Sequence, residues 1–384
     1  MCLYPKQLIN RKYTATSKNG GNIPEPPIIG IDNLGLPIYD QRVLQIEVPC
    51  GQCIECRQKK AREWQCRLAE EIQAHKYNYF ITLTFAPKEL EELCKKTRLN
   101  ECNAVAGHAV RHMLERWRKD HKKSIKHWLI TELGHEGTER IHMHGLLFTD
   151  ERLEFSEPDE NQFRTWKYWK YGHIYVGDYV NDRTINYISK YITKIDTDHK
   201  GFIGQILASP GIGKAFIERL EEQKSTRYDY TPKNAADYYR LQNGSKIKLP
   251  TYYKNKLYTE EQREEMWRDF MDLEKLSILG SEHSTRTTDK DIIENIIDNA
   301  RNRNKALEYG DNSGEWKKKE YNVTRRMMQQ VERNKRIEEM KKQLILNYTS
   351  KPSRVTLEET FEMKKAGLKG KEIEAICIAR GRNF

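Results

Sequence analysis

Two apolar stretches joined by a short glycine-containing segment constrain the fold of this chain more than any other feature. The stretches cover residues 127–133 and 141–149, and residues 134–140 connect them. Such a pattern is typical of an antiparallel β-hairpin. The midpoint between residues 132 and 142 is Gly137, in the middle of the connection. A symmetric hairpin therefore places Glu132 opposite His142 on the same face.

Helices and strands surround the predicted hairpin. Trp64, Leu68 and Ile72 recur every four residues and predict an amphipathic helix over 58–76. The β-branched and aromatic residues at 79–85 predict a strand inside a sheet. Further helices are predicted at 103–120, 161–171 and 184–195, and a further strand at 172–179. Strands separated by helices, with an antiparallel hairpin among them, indicate an α+β domain with a central antiparallel sheet flanked by helices.

The two ends of the chain differ from this middle part. Glycines and prolines between residues 20 and 27 predict an irregular arm, and the sequence beyond about residue 255 is charged and helical, as in 315–346. We therefore divide the chain into a cysteine-containing N-terminal arm (1–57), a central domain (58–255) and a helical C-terminal region (256–384). The charged helices fit either a solvated surface or a DNA contact. Two short helices around residues 367–370 fit either a helix-turn-helix or a simple helical hairpin.

The overall charge favours a polyanionic partner. The net charge is +11 and the isoelectric point is near 9.0, and basic side chains that neutralise phosphates release condensed counterions. The chain contains no apolar run long enough for a membrane span, and its first residues do not resemble a secretory signal. The sequence thus predicts a soluble cytoplasmic protein with no membrane partner.

Two histidines in the second hairpin strand form half of a candidate metal site. His142 and His144 are separated by one residue, so their side chains share one face of a strand. With Glu132 they offer two imidazoles and one carboxylate, which suit Mg²⁺ or Mn²⁺ acting as a Lewis acid with positions left for water and a phosphate oxygen. An isolated histidine is more often an ordinary core residue. The carboxylate in register favours the metal site.

Two tyrosines follow on the helix predicted at 184–195. At about 100° per residue, Tyr187 and Tyr191 lie about 40° apart on one helix face. A phenol with a pKa of about 10 is a poor nucleophile at neutral pH, so a cation must balance the developing charge. Lys190 and Lys194 complete two Tyr-x-x-Lys patterns and supply that cation one helical turn away. The core stripe of this helix is predicted to consist of Ile185, Ile188, Ile192 and Ile195.

Two weaker motifs concern cofactors. Cys50, Cys53 and Cys56 have the tight spacing of metal ligands, and Cys2 or Cys66 could complete a zinc-binding set. Because only one such block is present, structural zinc stays an open alternative. The glycines at 211 and 213 resemble a phosphate loop, but the first glycine of that motif is missing and Ala215 replaces its Ser or Thr. No ATP site is predicted, and we expect the host to supply any helicase.

The blocks at 80–85, 141–148 and 187–194, in this order, resemble the HUH superfamily of rolling-circle replication initiators. Within that superfamily they are most similar to the replication initiator of the gokushovirus group of the Microviridae, which are small single-stranded DNA phages. Residues 1–5 and 49–57 also resemble that group. The resemblance covers approximately residues 1–260, and it is weaker in the C-terminal third.

The resemblance implies an HUH endonuclease fold, with the histidine strand at the centre of a sheet and the tyrosine helix beside it. It implies a metal-dependent nickase that acts on single-stranded or supercoiled origin DNA. A tyrosine would form a 5′-phosphotyrosine link and leave a free 3′-hydroxyl for the host polymerase, and a second tyrosine would later cut and rejoin the released strand. A plasmid-type HUH initiator, an HUH transposase and a non-catalytic basic DNA-binding protein stay open as alternatives. The sequence does not indicate which residues bind DNA.

Overall fold

The fold is described from a computed structural model of the 384-residue chain. The structure describes residues 1–17, 19–135, 139–177, 179–194, 196, 198–224, 238–241, 244, 246–351 and 354–381, and for 324–332 it describes the backbone alone. The strands are β1 (Lys6–Ile9), β2 (Ile28–Ile31), β3 (Pro37–Tyr39), β4 (Gln45–Val48), β5 (Tyr77–Leu83), β6 (Lys126–Leu133), β7 (Ile141–Thr149), β8 (Phe163–Trp166), β9 (Trp169–Gly177), β10 (Ile206–Ala208), β11 (Tyr238–Arg240), β12 (Lys246–Lys248), β13 (Lys275–Ile278) and β14 (Ser281–Ser284).

The helices are α1 (Ile54–Gln73), α2 (Pro87–Thr97), α3 (Cys102–His121), α4 (Asp182–Thr193), α5 (Ala215–Lys224), α6 (Thr251–Leu257), α7 (Glu260–Asp272), α8 (Lys290–Ala306), α9 (Val323–Thr349), α10 (Leu357–Lys365) and α11 (Gly370–Gly381). Two 3₁₀ turns lie at Arg11–Tyr13 and Gln41–Leu44. Among the described helices, none is both long and apolar enough to cross a membrane.

A six-stranded sheet forms the centre of the molecule. Its order is β10-β6-β7-β5-β9-β8, and every neighbouring pair is antiparallel. The histidine strand β7 lies inside this sheet, hydrogen-bonded to β6 on one side and to β5 on the other. The predicted α+β class, with a central antiparallel sheet between helices, is confirmed.

The two faces of the sheet pack against different helices. Odd-numbered residues such as Leu129 and Met143 form a core with side chains of α2 and α3. Even-numbered residues such as Trp128 and Leu146 form a second core with α1 and α4. Because side chains alternate along a strand, the even-numbered Glu132, His142, His144 and Thr82 all belong to the face that α1 and α4 cover. The strand period thus brings the candidate metal ligands and the tyrosine helix to one side of the sheet.

Close approach of β6 and β7 leaves no room for a side chain at Gly145. A Cβ atom there would lie 2.0 Å from the carbonyl oxygen of Trp128 and 2.7 Å from the Cα of Leu129. We expect Gly145→Ala to force the two central strands apart and to lower the free energy of unfolding by about 3 kcal/mol or more. Urea-induced unfolding measures this loss. The matched control is Gly177→Ala, at the end of β9 in the same sheet, where the nearest neighbour is Phe80 at 3.4 Å. Equal losses in the two variants would contradict the packing argument.

The predicted helix at 161–171 is wrong. Phe163–Trp166 forms β8, and β9 already begins at Trp169, with Trp166 paired to Trp169 across a tight turn. Three aromatic residues drive this outcome because Trp166, Tyr168 and Trp169 are all buried in the core. Aromatic side chains fit the pleated surface of a sheet well. The spacing of these rings also fits a helical face, so it does not distinguish the two structures.

The N-terminal arm is more ordered than its composition suggests. Residues 20–27 contain no helix or strand, as expected, but β1 pairs with β4 and β2 pairs with β3. Leu3 is fully buried in a cluster with Ile54, Ile278 and Tyr309. The interpretation of 1–48 as an unpacked arm is therefore wrong, because its first residues pack against the start of α1 and against the C-terminal region.

The charged C-terminal region contains helices, but their boundaries differ from those predicted. The long helix α9 begins at Val323, so residues 315–322 of the predicted helix lie outside it. The two short helices around residues 367–370 are confirmed as α10 and α11, which pack through Met363, Leu368 and Ile376. The division of the chain at residues 57 and 255 stays a prediction.

Candidate active site

The register of β6 and β7 brings the three predicted metal ligands together. Glu132 pairs directly with His142, as the hairpin symmetry predicted. The Oε2 atom of Glu132 lies 3.2 Å from Nε2 of His142 and 3.0 Å from Nε2 of His144. Gly137, the predicted midpoint of the hairpin, lies outside the described residues. The three potential ligand atoms lie within 4.8 Å of one another.

The other nitrogen of each imidazole has a partner of its own. Nδ1 of His142 lies 3.2 Å from the carbonyl oxygen of Arg140, which can only accept, so this nitrogen carries the hydrogen. Nδ1 of His144 lies 2.9 Å from the hydroxyl of Thr82, which can accept in the same way. Both Nε2 atoms then present lone pairs to the carboxylate of Glu132. This arrangement is favourable with a cation between the three atoms, and such outer contacts are the usual means of orienting metal-bound histidines. The donor set therefore fits a divalent metal ion.

The protonation states of these groups are those of metal ligands. Burial alone would raise the pKa of the Glu132 carboxyl, but hydrogen bonds from His142, His144 and Lys194 hold that pKa far below its usual range. Burial lowers the pKa of His144, which favours its neutral imidazole. An ionised carboxylate and a neutral imidazole are the forms that bind a metal.

Helix α4 brings both tyrosines to the metal-ligand group. The ring of Tyr191 stacks on the ring of His144, with centroids 4.6 Å apart and planes inclined by 14°. The hydroxyl groups of Tyr187 and Tyr191 are hydrogen-bonded at 2.5 Å. Tyr187 is 48% exposed, whereas Tyr191 is half-buried. Burial raises the pKa of Tyr191, and its hydrogen bond with Tyr187 and the charge of Glu132 raise this pKa further.

The two lysines differ from their predicted placement. Helix α4 ends at Thr193, so Lys194 lies just beyond the helix in an extended conformation. Its ammonium binds Oε1 of Glu132 and lies 5.5 Å from the ring centre of Tyr191. Lys190 is exposed on the helix. The positive charge of Lys194 is thus directed at the carboxylate of the metal-ligand group rather than at a tyrosine oxygen.

The apolar face of α4 holds the tyrosines in place. Ile185, Ile188 and Ile192 are buried against the sheet, as predicted, and Ile195 of the predicted stripe lies outside the described residues. Nε of Arg57 in α1 donates to the carbonyl of Ile192 at 3.0 Å. The hydroxyl of Tyr309 donates to the carbonyl of Thr193 at 2.8 Å.

Sequence analysis missed Arg57, Tyr309 and Thr82 as supports of the site. Arg57 and Tyr309 satisfy carbonyls that the end of a helix leaves without partners. A threonine one residue from Ile81 in a buried strand was the only local signal for Thr82, and its even-numbered position was sufficient to place it beside His144.

The glycine turn at 211–214 binds an anion of the protein itself. The amide of Gly213 donates to Oε2 of Glu71 at 2.6 Å. Gly213 has φ of +78°, and a Cβ there would lie 2.9 Å from the Cα of Arg67. The turn therefore closes against α1, with its amide directed at a carboxylate.

A second group of potential ligands lies beyond the ends of β6 and α4. It consists of His135, Asp196 and His199, each with one ligand atom within 4.8 Å of the others. Nδ1 of His199 bonds Asp196 at 2.8 Å, and Nδ1 of His135 bonds Asp198 at 2.9 Å. The sequence analysis did not identify this group because its members lie on separate segments.

Comparisons with known proteins locate the chain among phage replication proteins. Residues 78–196, which contain β5, β6, β7 and α4, match the family of the replication-associated protein ORF2. The replication-associated protein VP4 of Bdellovibrio phage phiMH2K is 26% identical over 262 residues, covering 63% of this chain and 78% of that protein. The replication-associated protein ORF2 of Spiroplasma virus 4 is 27% identical over 198 residues, covering 47% of this chain and 60% of that protein. No solved structure matches the chain.

The predicted resemblance to Microviridae-type rolling-circle initiators is confirmed by these matches. The matched segment includes the three metal-ligand candidates and both tyrosines. The assignment of the sheet to the HUH fold stays a prediction.

Proposed function

We propose that the chain initiates rolling-circle DNA replication as a site-specific endonuclease and strand transferase that nicks single-stranded DNA through a tyrosine. The family match and the two phage relatives support a role in replication. One observation carries the chemical part of the proposal. The ring of His144 stacks on Tyr191 while its Nε2 atom faces Glu132, so candidate nucleophile and candidate metal ligands share one side chain as neighbour.

Glu132, His142 and His144 would hold one Mg²⁺ or Mn²⁺ ion. When bound, this ion supplies a Lewis acid for an oxygen of the scissile phosphate. Lys194 binds the second carboxylate oxygen of Glu132, so it fixes the orientation of the carboxylate without occupying Oε2. Thr82 and the carbonyl of Arg140 hold the two imidazoles with their Nε2 atoms directed to the same place.

The transfer step exchanges one phosphodiester for another. The phenolic oxygen of a tyrosine forms a bond to the scissile phosphorus, and the bond from phosphorus to the 3′ oxygen breaks. The phenolic proton is lost to water and the leaving 3′ oxygen gains a proton, which produces a 5′-phosphotyrosine and a free 3′-hydroxyl. A 3′-hydroxyl can later reverse the step and rejoin the strand. Because the hydroxyls of Tyr187 and Tyr191 lie 2.5 Å apart, both can reach one phosphate in turn.

An aromatic surface beside the site suits unpaired bases. Phe80 contacts the ring of Tyr175 at 6.3 Å and the ring of Tyr187 at 6.0 Å between centroids. Tyr175 is 38% exposed, and its register partner is Thr82, so it lies on the face that carries the site. Stacking on such rings binds single strands with little dependence on sequence. We assign Tyr175, Phe80 and Tyr187 as the surface that holds the strand next to the scissile phosphate.

End-labelled DNA tests the proposal. Single-stranded oligonucleotides that tile both strands of the genome encoding the chain are incubated with the protein and Mg²⁺ or Mn²⁺. We expect one oligonucleotide to give an adduct that survives denaturant, carries a 3′-end label and disappears with a chelator. The released fragment should carry the 5′-end label and serve as a primer for a polymerase. Binding without any covalent adduct would instead favour a non-catalytic DNA-binding protein, and an adduct that carries the 5′-end label would contradict the polarity.

A further inference from the structure

Four cysteines from separate segments meet at the start of α1. Cys2 precedes β1, Cys50 follows β4, Cys53 is the residue before α1 and Cys56 lies in its first turn. Their sulfur atoms all lie within 4.8 Å of one another. The distance is 4.0 Å between the sulfurs of Cys2 and Cys53 and 3.8 Å between those of Cys50 and Cys56. All four are free thiols.

This geometry decides which residue completes the cysteine block. Sequence spacing left Cys2 and Cys66 as alternatives. Cys66 is buried in a different cluster, with Ile217 and Tyr253, whereas Cys2 lies within the group. The fourth sulfur therefore comes from the opposite end of the N-terminal segment.

Backbone amides direct their hydrogens at the sulfur atoms. The amide of Cys50 donates to the sulfur of Cys2 at 3.2 Å, and the amide of Cys53 donates to the sulfur of Cys50 at 3.3 Å. Gly51 has φ of +73°, a conformation that glycine adopts without strain, and this turn brings Cys50 and Cys53 to the same side. Amide donors to sulfur favour the thiolate that a metal requires.

We propose that Cys2, Cys50, Cys53 and Cys56 bind one zinc ion in a closed structural site. Four thiolates satisfy the tetrahedral preference of zinc and leave no position open for a substrate. The role of this ion is to hold the chain together, and it is separate from the divalent ion proposed at Glu132, His142 and His144. The zinc site does not depend on the proposed nicking activity.

The position of the cluster links it to the tyrosine helix. Leu3, next to Cys2, packs with Ile54 and Tyr309. Tyr309 donates to the carbonyl of Thr193, and Arg57, next to Cys56, donates to that of Ile192. Loss of the ion releases the segments that hold both side chains. We therefore expect the last turn of α4, which precedes Lys194, to loosen when zinc is removed.

Metal analysis of the purified protein tests the site directly. We expect about one zinc per chain, and titration of the native protein with a mercurial reagent should release it as the thiols react. Cys53→Ser should lose most of the zinc. Cys94→Ser is the matched control, because Cys94 is a partly buried thiol of α2 outside the cluster. Protein without zinc, protein that holds iron instead, or equal loss in the Cys94 variant would overturn the proposal.

Hydrogen exchange tests the link to α4 without any DNA. We compare the native protein with protein stripped of zinc by a chelator, using β7 as the internal reference. Exchange should become severalfold faster at residues 54–57 and 190–194 but not at 141–149. An unchanged rate at 190–194 would refute the link to the tyrosine helix, and a uniform increase would indicate general unfolding rather than a local role.

Discussion

Replacing both Tyr187 and Tyr191 by phenylalanine is expected to abolish the covalent protein–DNA adduct, with a loss of about a thousandfold or more. The double variant keeps both rings, so the stacking of residue 191 on His144 and the contact of residue 187 with Phe80 are preserved. It removes the two hydroxyls, which are hydrogen-bonded to each other. The phosphate then has no tyrosine nucleophile, while the metal ligands and the fold stay in place.

Gel electrophoresis under denaturing conditions measures the adduct, and thermal unfolding checks the fold. Tyr179→Phe is the matched control, because Tyr179 is an exposed tyrosine just before α4. This control should nick like the parent protein. An adduct of undiminished yield in the double variant would rule out both tyrosines as the nucleophile.

The single variants separate the two halves of the reaction. Tyr187 is half exposed, whereas Tyr191 is more deeply placed and its pKa is raised by burial and by the hydrogen bond from Tyr187. We expect Tyr187→Phe to lose the first nick. Tyr191→Phe should retain that nick but fail to join the displaced strand into a circle.

Much of the site follows from short-range rules. A strand period of two places His142 and His144 on one face, and the symmetry of a hairpin places Glu132 opposite His142. A helix period near 3.6 brings Tyr187 and Tyr191 to one face. Each of these rules depends only on residues that are close in sequence, and the structure places all five side chains as the rules require.

The features that sequence reasoning did not find depend on contacts between distant segments. Lys194 reaches Glu132 because α4 ends at Thr193, and that end is held by Tyr309 from the C-terminal region. The pairing of β8 with β9 follows from burial of their rings against α3, among them Trp117, and is not encoded by spacing alone. Cys2 joins its cluster only after the N-terminal segment has packed. Local periodicity contains no information on any of these contacts.

The last prediction concerns the metal ligands themselves. Glu132→Gln keeps the shape of the side chain but removes the charge that a divalent ion requires, and it leaves the ammonium of Lys194 beside a neutral amide. His142→Ala removes one of the two imidazole donors. We expect each change to weaken Mn²⁺ binding by about a hundredfold or more and to reduce the adduct below detection. Titration with Mn²⁺, followed by electron paramagnetic resonance, measures the binding without DNA.

Thr82→Val provides an intermediate step, because it removes only the hydroxyl that holds Nδ1 of His144. Loss of such an outer contact costs about 10- to 100-fold in metal affinity, so this variant should bind Mn²⁺ more weakly than the parent protein but recover nicking at high metal concentration. His173→Ala is the matched control, since His173 is an exposed histidine of β9 in the same sheet. The order of effects identifies the ion's position: a site built on Glu132, His142 and His144 requires that Thr82 matter and His173 not. Equal Mn²⁺ affinity in the Glu132, His142 and Thr82 variants would place the ion elsewhere.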